Sequence, residues 1–197
     1  MDTPARKPSK RELTHDRIVD VAARALRRRG YEGVGVAEVM KEAGLTHGGF
    51  YAHFESRDAM LAEALVRAGQ NSAAAMAEKI AAQVARGETP FRAFLGHYLS
   101  DWHLSEADCG CPVAALGSEM SRQPPELLAV SAERVRAVID GVQKVLPPQD
   151  DAKAKAQVIA STIVGALQLA RVLGANAQGR ALLNATRKSL LAQYEPV

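Results

Sequence analysis

The stretch "VMKEAGLTHGGFYAHF", residues 39–54, decides the fold because it places a tight turn between two short helical segments. Gly44 suits the positive φ angle at which many helices end. Leu45 can fill the space between the two helices, and Thr46 is a suitable cap for the second one. This arrangement predicts a helix-turn-helix, in which the second helix would enter the major groove of DNA.

Two adjacent glycines, Gly48 and Gly49, stand in that second helix, although each costs about 0.8–1 kcal/mol relative to alanine. Phe50 and Phe54 are four residues apart, so they share one face and can anchor the helix to a core. The other side carries His47, Tyr51 and, further round, His53. Glycines at the start of the helix would let its backbone approach the base edges closely. The alternative interpretation is a glycine-weakened turn that binds nothing.

Helical periodicity runs through almost the whole chain, so the sequence predicts an all-α fold. A first helix would begin at a Thr14 cap, with Leu13 and Ile18 as a hydrophobic staple. Ser56 would cap a long helix that extends to about Val84. Cap, proline and glycine signals then predict helices over residues 90–102, 112–120, 125–146, 152–173 and 178–194.

Length and composition allow a sizeable core, since 47% of the 197 residues are hydrophobic. We expect a helix-turn-helix domain over residues 1–55 and a helical bundle domain over residues 56–197. No apolar run of about 18 residues indicates a membrane span, and the polar N-terminus lacks the apolar region of a secretory signal. Two cysteines are too few for the disulfide scaffold of a secreted protein, so we expect a cytoplasmic location.

Positive charge is concentrated at the N-terminal end. Residues 1–29 hold nine Lys or Arg residues against four Asp or Glu, whereas the whole chain has a net charge of only +3. A basic arm in front of a helix often contacts phosphates or a groove, which makes Lys10 and Arg11 candidate DNA contacts. The alternative is a solvated, disordered tail.

Residues 22–65, "AARALRRRGYEGVGVAEVMKEAGLTHGGFYAHFESRDAMLAEAL", resemble the TetR family of transcriptional repressors. The specific feature is the aromatic–Tyr–x–His–Phe pattern of residues 50–54, followed by a charged residue and a long helix. The resemblance implies a variable C-terminal domain that binds an effector and forms a dimer. It also implies a set of DNA contacts, with Tyr51 on a phosphate or a thymine methyl group and others on bases or phosphates: Thr46, His47, Gly48, Gly49, His53 and Arg57.

Some of these assignments have alternatives. His53 could bond a backbone carbonyl in the core, and Arg57 could be a surface charge or half of a weak ion pair. The chain also departs from the family, which often has a phosphate-binding threonine at the start of the preceding helix. Here the segment reads "GVGVAEV", residues 33–39, so that contact would be lost or made by backbone N–H groups.

The effector region is expected among the aromatic and apolar residues of the second domain. In a protein that resembles TetR repressors, its core also lines the effector cavity, and no charged cluster is evident in the sequence. An apolar or aromatic small molecule is therefore expected, held by an apolar wall of Tyr98, Trp102, Leu116 and Met120.

The segment "CGCP", residues 109–112, has several interpretations. A metal site needs about four ligands and only His97 and His103 lie near, so we expect no metal and no other cofactor. A disulfide between Cys109 and Cys111 would close a strained ring. Cys111 could be a reactive thiol at a helix N-terminus, or both cysteines could be ordinary buried or loop residues.

Small residues in "ASTIVGALQLARVLGANA", residues 160–177, permit close helix approach, either in a symmetric four-helix dimer interface or within one chain. No paired-carboxylate, phosphate-loop or nucleophile-elbow motif is present, so we expect no enzyme. The sequence thus predicts a ligand-responsive repressor that binds a palindromic operator as a homodimer. A thiol-based redox or electrophile sensor acting through Cys111 is the alternative.

Overall fold

The computed structural model describes residues 6–195, and every regular element within that range is a helix. The elements of this part of the chain are α1 Lys10–Arg29, α2 Val36–Glu42, the 3₁₀ helix His47–Ala52, α3 Arg57–Val84, α4 Pro90–Tyr98, α5 Asp101–Ser105, α6 Pro112–Met120, α7 Pro125–Val145, α8 Ala152–Leu173 and α9 Ala177–Tyr194. The all-α prediction is confirmed.

The N-terminus of α1 differs from the prediction. Ser9, not Thr14, caps the helix: its hydroxyl accepts from the Glu12 N–H at 3.2 Å, and the Glu12 carboxylate accepts from the Ser9 N–H at 2.6 Å. This reciprocal capping box satisfies two backbone donors, which a single hydroxyl cap does not. Thr14 lies inside the helix and donates to the Lys10 carbonyl, and Leu13 is exposed, so the expected staple is not formed.

The helix-turn-helix rests on a shared core of α1 and α3. The predicted inner face of α1, including Ile18, Val21 and Ala22, is buried. Ser56 caps α3 as predicted, accepting from the Ala59 N–H at 3.0 Å. The buried face of α3 is confined to its first half, through Ala68, so this half completes the core of the N-terminal helices before the chain continues into the second domain.

The single helix predicted over residues 90–102 is in fact two. Helix α4 ends at Tyr98, and Ser100 caps a new helix by accepting from the His103 N–H at 3.1 Å. The chain therefore turns before Trp102, which stacks on His97 with ring centroids 5.3 Å apart and stays 43% exposed.

Helix α8 is long and apolar enough to cross a membrane by length and composition alone. One of its faces, with Ile159, Ile163 and Leu167, is buried in the core of this chain. Buried helices of globular proteins have the same composition. The opposite face also carries apolar residues, including Leu169 and Val172, and these are exposed.

Candidate nucleic-acid interface and effector region

The turn between α2 and the 3₁₀ helix has the geometry expected from the sequence. Gly44 adopts a φ of +70°, a conformation that side chains disfavour. The Leu45 N–H donates to the Met40 carbonyl at 2.8 Å, which closes the end of α2. Leu45 is half-buried and packs against the core, as predicted.

The second helix of the motif is a 3₁₀ helix, not an α-helix. Thr46 precedes it in an extended conformation but makes no side-chain cap, so the predicted hydroxyl cap is wrong. Its carbonyl instead accepts from the Gly49 N–H at 3.1 Å, the tighter i to i+3 bond of a 3₁₀ turn. With only six residues and two glycines, this helix takes its position from packing more than from intrinsic propensity.

Aromatic side chains fix the orientation of the 3₁₀ helix. Phe50 and Phe54 are buried and stacked, with ring centroids 5.4 Å apart, which confirms them as the anchors. Tyr51 packs edge-on against Phe50 at 5.3 Å, yet 72% of its surface is exposed. His47 and Gly48 are exposed beside it. The two buried phenylalanines therefore hold the helix with its polar face exposed to solvent.

Packing inside the protein does not explain why residues 48 and 49 are both glycine. A Cβ at Gly48 would have no heavy atom within 4 Å. One at Gly49 would make ordinary contact with Met40 Cε, at 3.6 Å. Neither glycine has a positive φ. A Cβ would therefore fit at both positions, so packing within the described chain does not require glycine at either one.

His53 is half-buried at the edge of this face. Its ring centroid is 5.9 Å from that of His15, and its Nδ1 is buried without a hydrogen-bond partner among residues 6–195. Burial, followed by the charges of His15 and Arg11, lowers the pKa of His53. The imidazole is therefore neutral at pH 7. The alternative to a DNA contact, a bond to a core carbonyl, is not formed by Nδ1 within residues 6–195, and the DNA contact itself stays a prediction.

Lys10 and Arg11, the candidate contacts of the basic arm, lie in the first turn of α1 and are both exposed. Residues 1–5 of the proposed arm lie outside the described part of the chain. Arg11 donates to the Ala52 carbonyl at 2.7 Å, at the end of the 3₁₀ helix.

Arg57, at the start of α3, bonds the loop before α2. It donates through Nε to the Val34 carbonyl at 2.9 Å and through Nη2 to the Tyr31 carbonyl. Arg57 therefore braces the loop before α2, and a contact to phosphate stays a prediction.

The four residues expected to form an apolar wall differ in burial. Tyr98, Leu116 and Met120 are buried, whereas Trp102 is exposed because the break at Ser100 redirects the chain. The effector wall itself stays a prediction.

A buried histidine organises the segment that carries the cysteines. His103 donates from Nδ1 to the Tyr98 carbonyl at 2.8 Å, and its Nε2 accepts from the Cys111 N–H at 2.9 Å. Burial lowers the pKa of His103 to about 3, so the ring is neutral. A Cβ at Gly110 would lie 2.4 Å from His103 Cδ2, so only glycine fits there. Both thiols are free, with Cys109 exposed and Cys111 buried.

One buried arginine, Arg27, and one half-buried arginine, Arg171, are not expected from the sequence. Arg27 looked like one of three cations at the end of α1, but it is only 5% exposed and donates to the Ala68 carbonyl at 3.1 Å. Arg171 lies in α8 and donates to the His103 carbonyl at 2.8 Å. Helical periodicity places Arg27 and Arg171 on the inner faces of their helices, but charged residues are usually exposed.

A helix-turn-helix that exposes one face of its second helix, joined to a larger helical domain, defines a DNA-binding transcription regulator. Residues 18–64 match the model of the bacterial regulatory proteins of the tetR family. An HTH-type transcriptional regulator of Mycobacterium tuberculosis H37Rv is 30% identical over 167 residues, covering 80% of this chain and 84% of that protein. The chain belongs to the TetR family.

Solved structures of TetR regulators share the fold. A TetR-family regulator from Cytophaga hutchinsonii is similar with a TM-score of 0.75 and 18% identity, over 96% of this chain and 98% of that one. The transcriptional regulator FadR from Bacillus subtilis, in complex with stearoyl-CoA, is similar with a TM-score of 0.65 and 17% identity, over 93% of this chain and 99% of that one. Both therefore match over nearly the whole chain.

Proposed function

We propose that the protein is a repressor that binds a palindromic operator as a homodimer and is released by a small molecule. One observation carries the DNA-binding part: Phe50 and Phe54 lock the 3₁₀ helix, while His47, Gly48 and Tyr51 face solvent. In this proposal residues 1–55 read DNA and residues 56–197 bind the effector and dimerise. Such a regulator acts on DNA in the cytoplasm.

The exposed face of α8 supports a dimer. Val158, Leu169, Val172 and Leu173 are all large, apolar and exposed in the single chain. Exposed apolar patches of this kind mark interaction sites. Two copies packing their α8 and α9 helices as a symmetric four-helix bundle would cover the patch, and two-fold symmetry matches the two halves of a palindrome.

Helix α6 offers a route from the effector region to the DNA-binding domain. It begins at Pro112, directly after the residue whose N–H binds His103. Near its other end, the Glu119 carboxylate accepts from the Tyr31 N–H at 2.9 Å, in the loop between α1 and α2. A displacement of α6 would therefore shift the loop that precedes the helix-turn-helix. In the B. subtilis relative the fold accommodates stearoyl-CoA, which supports a small-molecule effector here.

Selection of duplexes from a random library, followed by gel shifts and light scattering, tests the proposal. We expect an enriched two-fold symmetric sequence bound by two chains, with an affinity that falls steeply as salt increases. Recovery of no preferred duplex, or binding of one chain to an asymmetric site, would refute it.

A further inference from the structure

Several buried polar atoms near the start of α6 lack partners. Within residues 6–195, the Tyr98 hydroxyl, Arg171 Nε and Nη1, and Arg27 Nε are all shielded from solvent without a hydrogen bond. Tyr98 is only 3% exposed. Buried polar groups are normally hydrogen-bonded, so a cluster of orphaned donors calls for a ligand.

Arg171 has no carboxylate partner. In the described chain, no Asp or Glu forms an ion pair with Arg171 or Arg27. Burial lowers the pKa of both guanidinium groups; Cys109 and Asp108 oppose this shift at Arg27, whereas only Tyr98 and Cys111 oppose it at Arg171. Of the two arginines, Arg171 is therefore the one without a carboxylate nearby, and shielding a guanidinium from water without an anion is unfavourable.

The surroundings of these donors are apolar and aromatic. The Tyr98 ring centroid is 5.7 Å from that of Phe94 and 4.8 Å from that of His103. Leu104 and Val113, next to His103 and Pro112 in the chain, are also buried. A ligand there would combine an anionic head with an apolar body.

We propose that Arg171 and Tyr98 bind the carboxylate of an apolar organic acid, and that this acid is the effector. The inference rests on the proposed function and names the chemical class of its ligand. Arg171 Nη2 already donates to the His103 carbonyl, whereas Nε and Nη1 are unpaired, and either can donate a charge-assisted hydrogen bond to a carboxylate oxygen. The phenol of Tyr98 would donate a further hydrogen bond. Binding beside Cys111 would act on the first turn of α6.

The test compares acids with their amides. Straight-chain carboxylates from acetate to dodecanoate, together with benzoate, are titrated against the full-length protein and followed by thermal shift and operator release. The matching primary amides have the same shape without the charge. We expect at least one acid to raise the melting temperature and release the operator, while its amide does neither.

Variants locate the site. Arg171→Gln should weaken the response to the active acid about 10- to 100-fold, as expected for a lost hydrogen bond to a charged group, and Tyr98→Phe should weaken it less. Arg136→Gln, at an exposed position of α7, is the matched control and should respond like wild type.

Three results would overturn the inference: no acid that acts, equal action of acid and amide, or an unchanged response of Arg171→Gln. Operator binding by the acid-free wild type is measured separately. Its absence would refute the proposed function, whereas normal operator binding without any acid response would refute only this inference.

Discussion

At the scale of single residues, Tyr51 is the side chain that most directly separates folding from DNA binding. It is exposed, whereas the neighbouring aromatic side chains, Phe50 and Phe54, hold the helix. Tyr51→Ala should lower operator affinity about tenfold or more, as for a hydrogen bond to a charged phosphate, and leave the melting temperature nearly unchanged. Tyr51→Phe is the control that isolates the hydroxyl. Unfolding of Tyr51→Ala in circular dichroism would show that the ring is structural.

A second prediction about a single residue concerns Gly48. Because a Cβ there meets nothing in the protein, Gly48→Ala and Gly48→Leu should fold normally. In gel shifts, operator affinity should fall progressively from Gly to Ala to Leu, as the larger side chain holds the backbone away from the groove. Gly141→Ala, where the Cβ is equally free but lies on α7, should bind like wild type. Normal binding by Gly48→Leu would show that close approach is not needed.

At the scale of elements, α6 is the part that joins the two proposed domains. Glu119→Ala removes the acceptor of the Tyr31 N–H, so the free energy of unfolding should fall by about 1–3 kcal/mol in urea denaturation. Operator affinity should fall with it, because the loop before α2 loses a fixed point. Glu126→Ala, at an exposed position in the first turn of α7, should change neither quantity by a comparable amount. Wild-type values for Glu119→Ala would rule out α6 as the connection.

Sequence signals predicted most element bounds, and the exceptions have physical reasons. Helices α6 to α9 were predicted well because proline, glycine and asparagine mark their ends. The break after Tyr98 was missed because continuous apolar periodicity outweighed the cap at Ser100. The start of α1 was missed because Thr14 was preferred to the capping box at Ser9. Each error is a competition between two valid local signals.

The orientation of the 3₁₀ helix could be predicted from the sequence, whereas the burial of two arginines could not. Helical spacing predicts buried Phe50 and Phe54 and an exposed Tyr51, since an anchored helix must expose its other side. The burial of Arg27 and the half-burial of Arg171 were not expected, because charged residues are rarely buried. Their surroundings depend on contacts of α6 with α1 and α8, which local patterns do not encode.

At the scale of the whole molecule, the exposed face of α8 predicts an assembly. Val172 is 86% exposed in the single chain, so Val172→Glu should leave the fold of each chain intact. In light scattering it should shift the protein from dimer to monomer, because a buried charge without a partner opposes association. Operator affinity should fall strongly as a result. Val135→Glu, at an exposed position of α7, is the control and should stay dimeric.

Buried His103 has a consequence for the acid tolerance of the protein. Its pKa is about 3 in the fold against 6.5 for a free histidine. Between these pH values the unfolded chain carries a proton on His103 and the folded chain does not. The resulting stability is complete above pH 6.5 and is lost progressively as the pH falls towards 3. At about pH 5 the loss should reach about 2 kcal/mol in chemical denaturation, and His103→Gln should remove that part of the pH dependence. A regulator of this design would have a limited lifetime in an acidified cell, whatever happens at its operator.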